Sequence, residues 1–220
     1  MEIPIVQRIH SANDQIAMQN RRLLDEQGIY VVNIMASPGG GKTSLILRTI
    51  DVLRDRLHIG VIEGDIASSV DADRVATRGV PVVQINTGGQ CHLDAPMIQR
   101  ALGELPLDRL DLIMIENVGN LVCPVGFRLG EDVNVMIASL PEGDDKPYKY
   151  PGIFVAVDAV VINKVDLLPY LRFDTAAFRT LIRGMNPDVS IFEVSCETGQ
   201  GIENWAEWLT AKRGASGSNE

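Results

Sequence analysis

Residues Ala36-Ser37-Pro38-Gly39-Gly40-Gly41-Lys42-Thr43 constrain this chain more than any other stretch, because they follow an apolar, β-branched run and open a segment of helical periodicity. Strand, glycine-rich turn and helix in that order are the context in which a Walker A pattern binds phosphate. Consecutive glycines let backbone N–H groups turn inward around a β-phosphate, and the helix N-terminus adds its positive dipole. Lys42 then reaches the β- and γ-phosphates and the Thr43 hydroxyl is placed for Mg²⁺. Pro38, Gly39, Gly40, Gly41, Lys42, Thr43 and the following Ser44 are the candidate phosphate contacts. The pattern departs from consensus at its first place, where Ala36 stands instead of glycine, and binding is expected to survive that methyl group.

Around this loop, short apolar runs alternate with helix-like segments. Strands are expected at Tyr30 to Met35, Ile59 to Ile62, Val82 to Ile85, Leu112 to Ile115, Val133 to Ile137, Ala159 to Ile162 and Ile191 to Val194. Nearly all their residues are apolar, as in strands covered on both faces. The fold class is therefore α/β, a P-loop NTPase with a mostly parallel sheet and helices on both sides. Helices are expected at Thr43 to Leu57, Asp94 to Leu102, Phe173 to Arg183 and Ile202 to Ala211. A further N-terminal helix, loosely capped by Ser11 and Asp14, stops at Gly28. Pro141 to Pro151 reads as an exposed loop. The implied organisation is a helical arm over 1–28, a nucleotide-binding domain over 29–212 and a disordered tail over 213–220.

Twenty basic residues against 29 acidic ones give a formal charge of -9, which argues against a nucleic-acid or anionic-membrane partner. No basic segment followed by an apolar run begins the chain, and no apolar run reaches ~18 residues, so a soluble cytoplasmic protein is expected. The cysteines are Cys91, Cys123 and Cys196, a sparse and odd set suited to reduced thiols.

Asn163-Lys164-Val165-Asp166 follows the apolar run ending at Ile162, at the carboxyl end of a strand, where open α/β sheets bind ligands. The Asp166 carboxylate can accept from both N1–H and N2–H₂ of guanine, whereas adenine presents another acceptor there, so GTP is preferred over ATP. Asn163 would brace the phosphate loop and the Lys164 stem would stack along the base. Ser195-Cys196-Glu197 reads as the loop whose backbone N–H meets guanine O6. Glu116 ends an apolar strand as a Walker B carboxylate does, orienting Mg²⁺ or its water, and Gly119 follows where a γ-phosphate-sensing amide would lie. Asp65, ending another strand, is the candidate switch carboxylate that approaches Mg²⁺ with GTP. Lys42, Asp65, Glu116 and Gly119 form the candidate catalytic set.

Cys91 and His92 lie in one loop at the ligand-binding edge and Cys123 lies in another. Two thiolates and an imidazole suit Zn²⁺ in tetrahedral geometry or Ni²⁺ in square-planar geometry. Three ligands in one chain point to a site shared between two subunits. Because Cys123 follows the phosphate-sensing segment, hydrolysis would alter the metal site.

Thr87 to Ala95 (TGGQCHLDA), Glu116 to Pro124 (ENVGNLVCP), Lys149 to Pro151 (KYP) and Ile162 to Leu171 (INKVDLLPYL) resemble the hydrogenase nickel-incorporation GTPases of the HypB family, from about residue 10 to residue 210. The resemblance implies a SIMIBI-class fold, a GTP-dependent homodimer, a HypA-type nickel chaperone as partner and a [NiFe]-hydrogenase large-subunit precursor as client. Residues 1–30 hold only His10 and no cysteine, so nickel storage is unsupported. Leu167, Leu168, Tyr170 and Leu171 form either a dimer contact or core. Two rival readings are a urease-type delivery GTPase, disfavoured because Cys91 and His92 are adjacent rather than spaced by proline, and a metal-binding module with negligible turnover.

Overall fold

The computed structural model describes residues 4–66 and 69–216. In chain order the elements are α1 (Pro4–Glu26), β1 (Tyr30–Ala36), α2 (Lys42–Leu53), β2 (Ile59–Asp65), α3 (Val70–Ala76), β3 (Val82–Asn86), α4 (Ala95–Leu102) and β4 (Leu112–Glu116). They continue with β5 (Val133–Ser139), α5 (Lys146–Lys149), α6 (Pro151–Ala156), β6 (Ala159–Asn163), α7 (Thr175–Met185), β7 (Ser190–Val194) and α8 (Ile202–Ser216).

All seven expected strands form, joined in the order β3-β2-β4-β1-β5-β6-β7 with every neighbouring pair parallel. β1 is central, and each of its residues is buried, which explains its unbroken apolar sequence. One face carries α2, α3 and α8, where Val32, Ile34, Leu45, Ile50 and Trp205 join one core cluster. The Trp205 ring is fully buried, and its Nε1–H donates to Thr49 Oγ1 at 2.9 Å, so its single polar atom is satisfied. The opposite face carries α1 and α4 over one apolar cluster and α6 and α7 over another.

Between those two clusters runs a polar seam. Asn117 Nδ2 donates to Asn33 Oδ1 at 3.1 Å, Asn33 Nδ2 to Asn134 Oδ1 at 2.8 Å, and Asn134 Nδ2 to Glu131 Oε1 at 2.8 Å. Buried amides persist in a core because each finds a partner. Asn117 thereby anchors the end of β4 to the sheet.

Several boundaries differ from expectation. The first helix begins at Pro4, so Ser11 and Asp14 lie within it rather than capping it. It packs onto α4: Ala17 and Leu24 are buried, and Asn20 Nδ2 donates to Ala95 O at 3.0 Å and Leu129 O at 2.9 Å. Pro141 to Pro151 is not an exposed loop. It holds a 3₁₀ turn at Leu140–Glu142, then α5 and the start of α6, with Pro147 buried and Glu142 paired to Lys146 at 3.4 Å. The last helix continues to Ser216, into the stretch read as a tail, and residues 217–220 lie outside the described residues.

Candidate nucleotide and metal site

The phosphate loop joins β1 to α2 at the carboxyl edge of the sheet. Ala36 completes β1 in ordinary extended backbone, fully buried, so its methyl is accommodated. The loop closes so tightly above it that a Cβ at residue 40 would lie 2.8 Å from the Ala36 Cβ. Gly41 precedes the helix at φ 99°, ψ 29°, a left-handed conformation that glycine adopts freely.

From β6, the guanine signature reaches this loop. Asn163 Nδ2 donates to Gly40 O at 3.0 Å, and Lys164 Nζ donates to Gly39 O at 2.9 Å. Lys164 is the one non-glycine residue with positive φ (66°) among the described residues, held there as Asn163 Oδ1 accepts its N–H at 2.8 Å. Asp166 accepts from Ser195 Oγ, so this candidate base-reading carboxylate and the Ser195-Cys196-Glu197 loop are joined. Arg48 on α2, which sequence reasoning missed, ties that loop down by donating to Cys196 O at 2.6 Å and Glu197 O at 2.8 Å. A basic residue on a helix carries no signal of which carbonyls it will meet. Burial pushes the Cys196 thiol up to about 11, and this sulfur stays apart from the other two cysteines.

Lys42 and Thr43 converge on Glu116. Thr43 Oγ1 donates to Glu116 Oε1 at 3.0 Å and Lys42 Nζ lies 3.6 Å from the same oxygen. The carboxylates gathered at Glu116 are Glu63 and Asp71. Asp65 ends β2 half-buried and is not part of that gathering. Desolvation raises the pKa of Glu116, while Glu63 is pushed up to about 11 by burial and then by the Glu116 charge beside it. Neither Glu63 nor Asp71 was singled out from the sequence, since parallel register is what sets Glu63 opposite Glu116. Glu142 was missed too: a Cβ at residue 40 would lie 3.4 Å from its Oε1.

Cys91, His92 and Cys123 do come together, with one donor atom from each lying within 4.8 Å of the others. Cys91 is exposed; His92 and Cys123 are partly buried. Their loops follow β3 and β4, which are not neighbours, since β2 lies between them. The first loop therefore has to cross the end of β2, and Gly64 leaves the room: a Cβ there would lie 2.7 Å from Leu93 Cδ1. Leu93 is fully buried, and its N–H donates to Asn117 Oδ1 at 3.2 Å. The Cys91 thiol is raised mainly by its contact with the Cys123 thiol, and desolvation lowers the His92 pKa.

Residues 116–123 connect the two halves. Glu116 touches Lys42 and Thr43; Gly119 packs so closely on Pro38 that a Cβ would sit 3.0 Å from the Pro38 nitrogen; Asn120 Nδ2 donates to Cys91 O at 3.2 Å; and Cys123 meets Cys91. One continuous segment thus links the phosphate loop to the sulfurs.

The model of the CobW/HypB/UreG nucleotide-binding domain matches residues 30–193. The hydrogenase maturation factor HypB of Azotobacter vinelandii is 48% identical over 210 residues, which cover 96% of this chain and 69% of the relative. The probable hydrogenase maturation factor HypB of Methanocaldococcus jannaschii is 40% identical, with 94% of each chain covered. Among solved structures, HypB from Helicobacter pylori in complex with nickel superposes with a TM-score of 0.87 at 38% identity, covering 92% of this chain and 95% of that one. With the phosphate loop, the guanine signature and the paired cysteines in place, this chain belongs to the HypB family of hydrogenase maturation factors.

Proposed function

We propose that this protein is a GTP-hydrolysing metallochaperone that delivers nickel to the large-subunit precursor of a [NiFe]-hydrogenase, with metal binding coupled to the nucleotide state. The observation that carries the reading is the single short segment from Glu116 to Cys123, which touches the phosphate loop at one end and the second thiol at the other.

In this reading the backbone N–H groups of Gly39, Gly40 and Gly41 with Lys42 and Ser44 bind the phosphates, and Asp166 with Ser195, Cys196 and Glu197 selects guanine. Thr43 and Glu116, with Asp65 drawn in from the end of β2, would hold Mg²⁺, which neutralises charge on the transferring phosphoryl group. The buried Oε2 atoms of Glu63 and Glu116 have no hydrogen-bond partner among the described residues, which fits a carboxylate site built for a cation. Gly119 senses the γ-phosphate, and its contact with Pro38 passes that state along the segment to Cys123. Cys91, His92 and Cys123 hold Ni²⁺ as cargo; zinc would favour a tetrahedral arrangement of the same donors. Tyr170 is 82% exposed and Leu171 37%, an apolar surface suited to a homodimer that joins two half-sites in the GTP state. A HypA-type chaperone supplies the metal. The full polypeptide acts in the cytoplasm, without nucleic-acid or membrane partners.

Equilibrium dialysis against Ni²⁺, with GDP and with a non-hydrolysable GTP analogue, tests the coupling. Wild-type protein is expected to show nucleotide-dependent nickel affinity, Cys91→Ala and Cys123→Ala to lose binding at neutral pH with nucleotide affinity kept, and Lys42→Ala to abolish hydrolysis. Nickel affinity indifferent to nucleotide would remove the delivery mechanism. Hydrolysis no faster than that of Lys42→Ala would favour the pure binding module instead.

A further inference from the structure

The three soft ligands come from two separate loops, yet their donor atoms lie within 4.8 Å of one another. Besides the Leu93–Asn117 hydrogen bond, two contacts join the loops beside the sulfurs. The ring of Phe127, directly after the 3₁₀ turn Cys123–Gly126, stacks on the ring of His92 with centroids 4.0 Å apart and planes 30° from parallel. Asn120 spans the same gap, donating to Cys91 O at 3.2 Å while its Oδ1 accepts from Val122 N at 2.8 Å.

Stacking on a neighbouring ring favours one orientation of an imidazole over the others. The ring so held brings His92 Nδ1 to 3.7 Å from Cys91 Sγ, with the nitrogen edge towards the sulfurs. Phe127 is itself only partly buried, so its ring is not a main support of the apolar core. Outer groups that orient metal ligands typically change metal affinity by about 10- to 100-fold.

We infer that Phe127 is a positioning residue for the soft-metal site: by stacking on His92 it clasps the Cys91 loop to the Cys123 turn, so that one protomer presents two thiols and an imidazole together. The inference rests on the nickel reading above, and it assigns the clasp to the aromatic face of residue 127 rather than to its bulk.

The full chain, reduced and stripped of metal, is titrated with Ni²⁺ alone while thiolate-to-nickel charge-transfer absorption is followed. Phe127→Ala is expected to weaken binding about tenfold, with the charge-transfer band retained because both thiols remain. Phe127→Tyr, which keeps the ring, should restore wild-type affinity, and Phe127→Leu, which keeps bulk without a π face, should not. In a His92→Ala background, Phe127→Ala should cost nothing further, the sign of coupling between the two rings. Affinity of Phe127→Ala within about twofold of wild type, or an equal loss in the His92→Ala background, overturns the clasp. Failure of the nickel reading looks different: Cys91→Ala would then bind nickel as wild type does. Fluorescent-GDP affinity checks that each variant is folded, and Phe127→Leu with Phe127→Tyr decide the matter if the alanine variant is not.

Discussion

Glu63 and Glu116 lie side by side on β2 and β4, paired in register, with relative exposures of 2% and 3%. Two carboxylates so placed cannot both ionise cheaply, and Lys42 at 3.6 Å from Glu116 favours leaving the charge there and the proton on Glu63. A cation beside this pair would relieve the repulsion between the two carboxylates.

That pairing gives the nucleotide-free protein a pH signature. Above about 4.5 the unfolded chain releases the Glu63 proton, whereas the folded chain keeps it up to about 11, so this group's contribution to stability falls as pH rises through that window. Glu63→Gln keeps the neutral shape and removes the linkage. Denaturant unfolding from pH 5.5 to 8 should show the variant gaining on wild type by up to ~1.4 kcal/mol per pH unit. Parallel stability curves would mean that no proton is trapped.

Gly41 is committed by both its backbone and its surroundings. A Cβ there would sit 2.3 Å from Asn163 Nδ2, and φ is 99°. Gly41→Ala is expected to push Asn163 off Gly40 O and to add ~1–2 kcal/mol of left-handed strain. Fluorescent GDP should bind at least about tenfold more weakly. Removing the clash with Asn163→Ala in the same chain should not restore affinity, because the strain stays.

Asp166 accepts from Ser195 while facing the proposed base site. In Asp166→Asn the amide oxygen still serves Ser195, but an N–H₂ now faces the guanine donors. Loss of a charged hydrogen bond, ~1.5–3 kcal/mol, should weaken GTP about 10- to 100-fold and favour xanthosine triphosphate, whose 2-oxo group can accept from the amide. Competition among GTP, ATP and XTP reads this directly. Selectivity for guanine unchanged by the substitution would sink the role given to this carboxylate.

Much of the fold was legible because the five inner strands, almost wholly buried, spell themselves out as apolar runs, and the half-buried edge strands β3 and β7 still keep three or more apolar residues each. α3 was not: only Ala72 and Val75 of its residues are buried, too few to imprint a period. Pro141 to Pro151 misled because proline and charge signal turns, while Lys146 and Glu142 neutralise each other beside the phosphate loop. In the site, the residue types of Lys42, Thr43, Asn163, Asp166, Cys91 and Cys123 announced themselves. Glu63, Asp71 and Arg48 did not, since their roles depend on strand order, register and helix docking, which no local spacing encodes.

The Cys91 loop rests, through Leu93, on the same strand whose tip carries Asp65. A pull on that tip would tilt the platform beneath one sulfur while residues 116–123 shift the other. Two levers would then act on one pair of thiols, and a cargo gripped between them could be loosened without either arm travelling far.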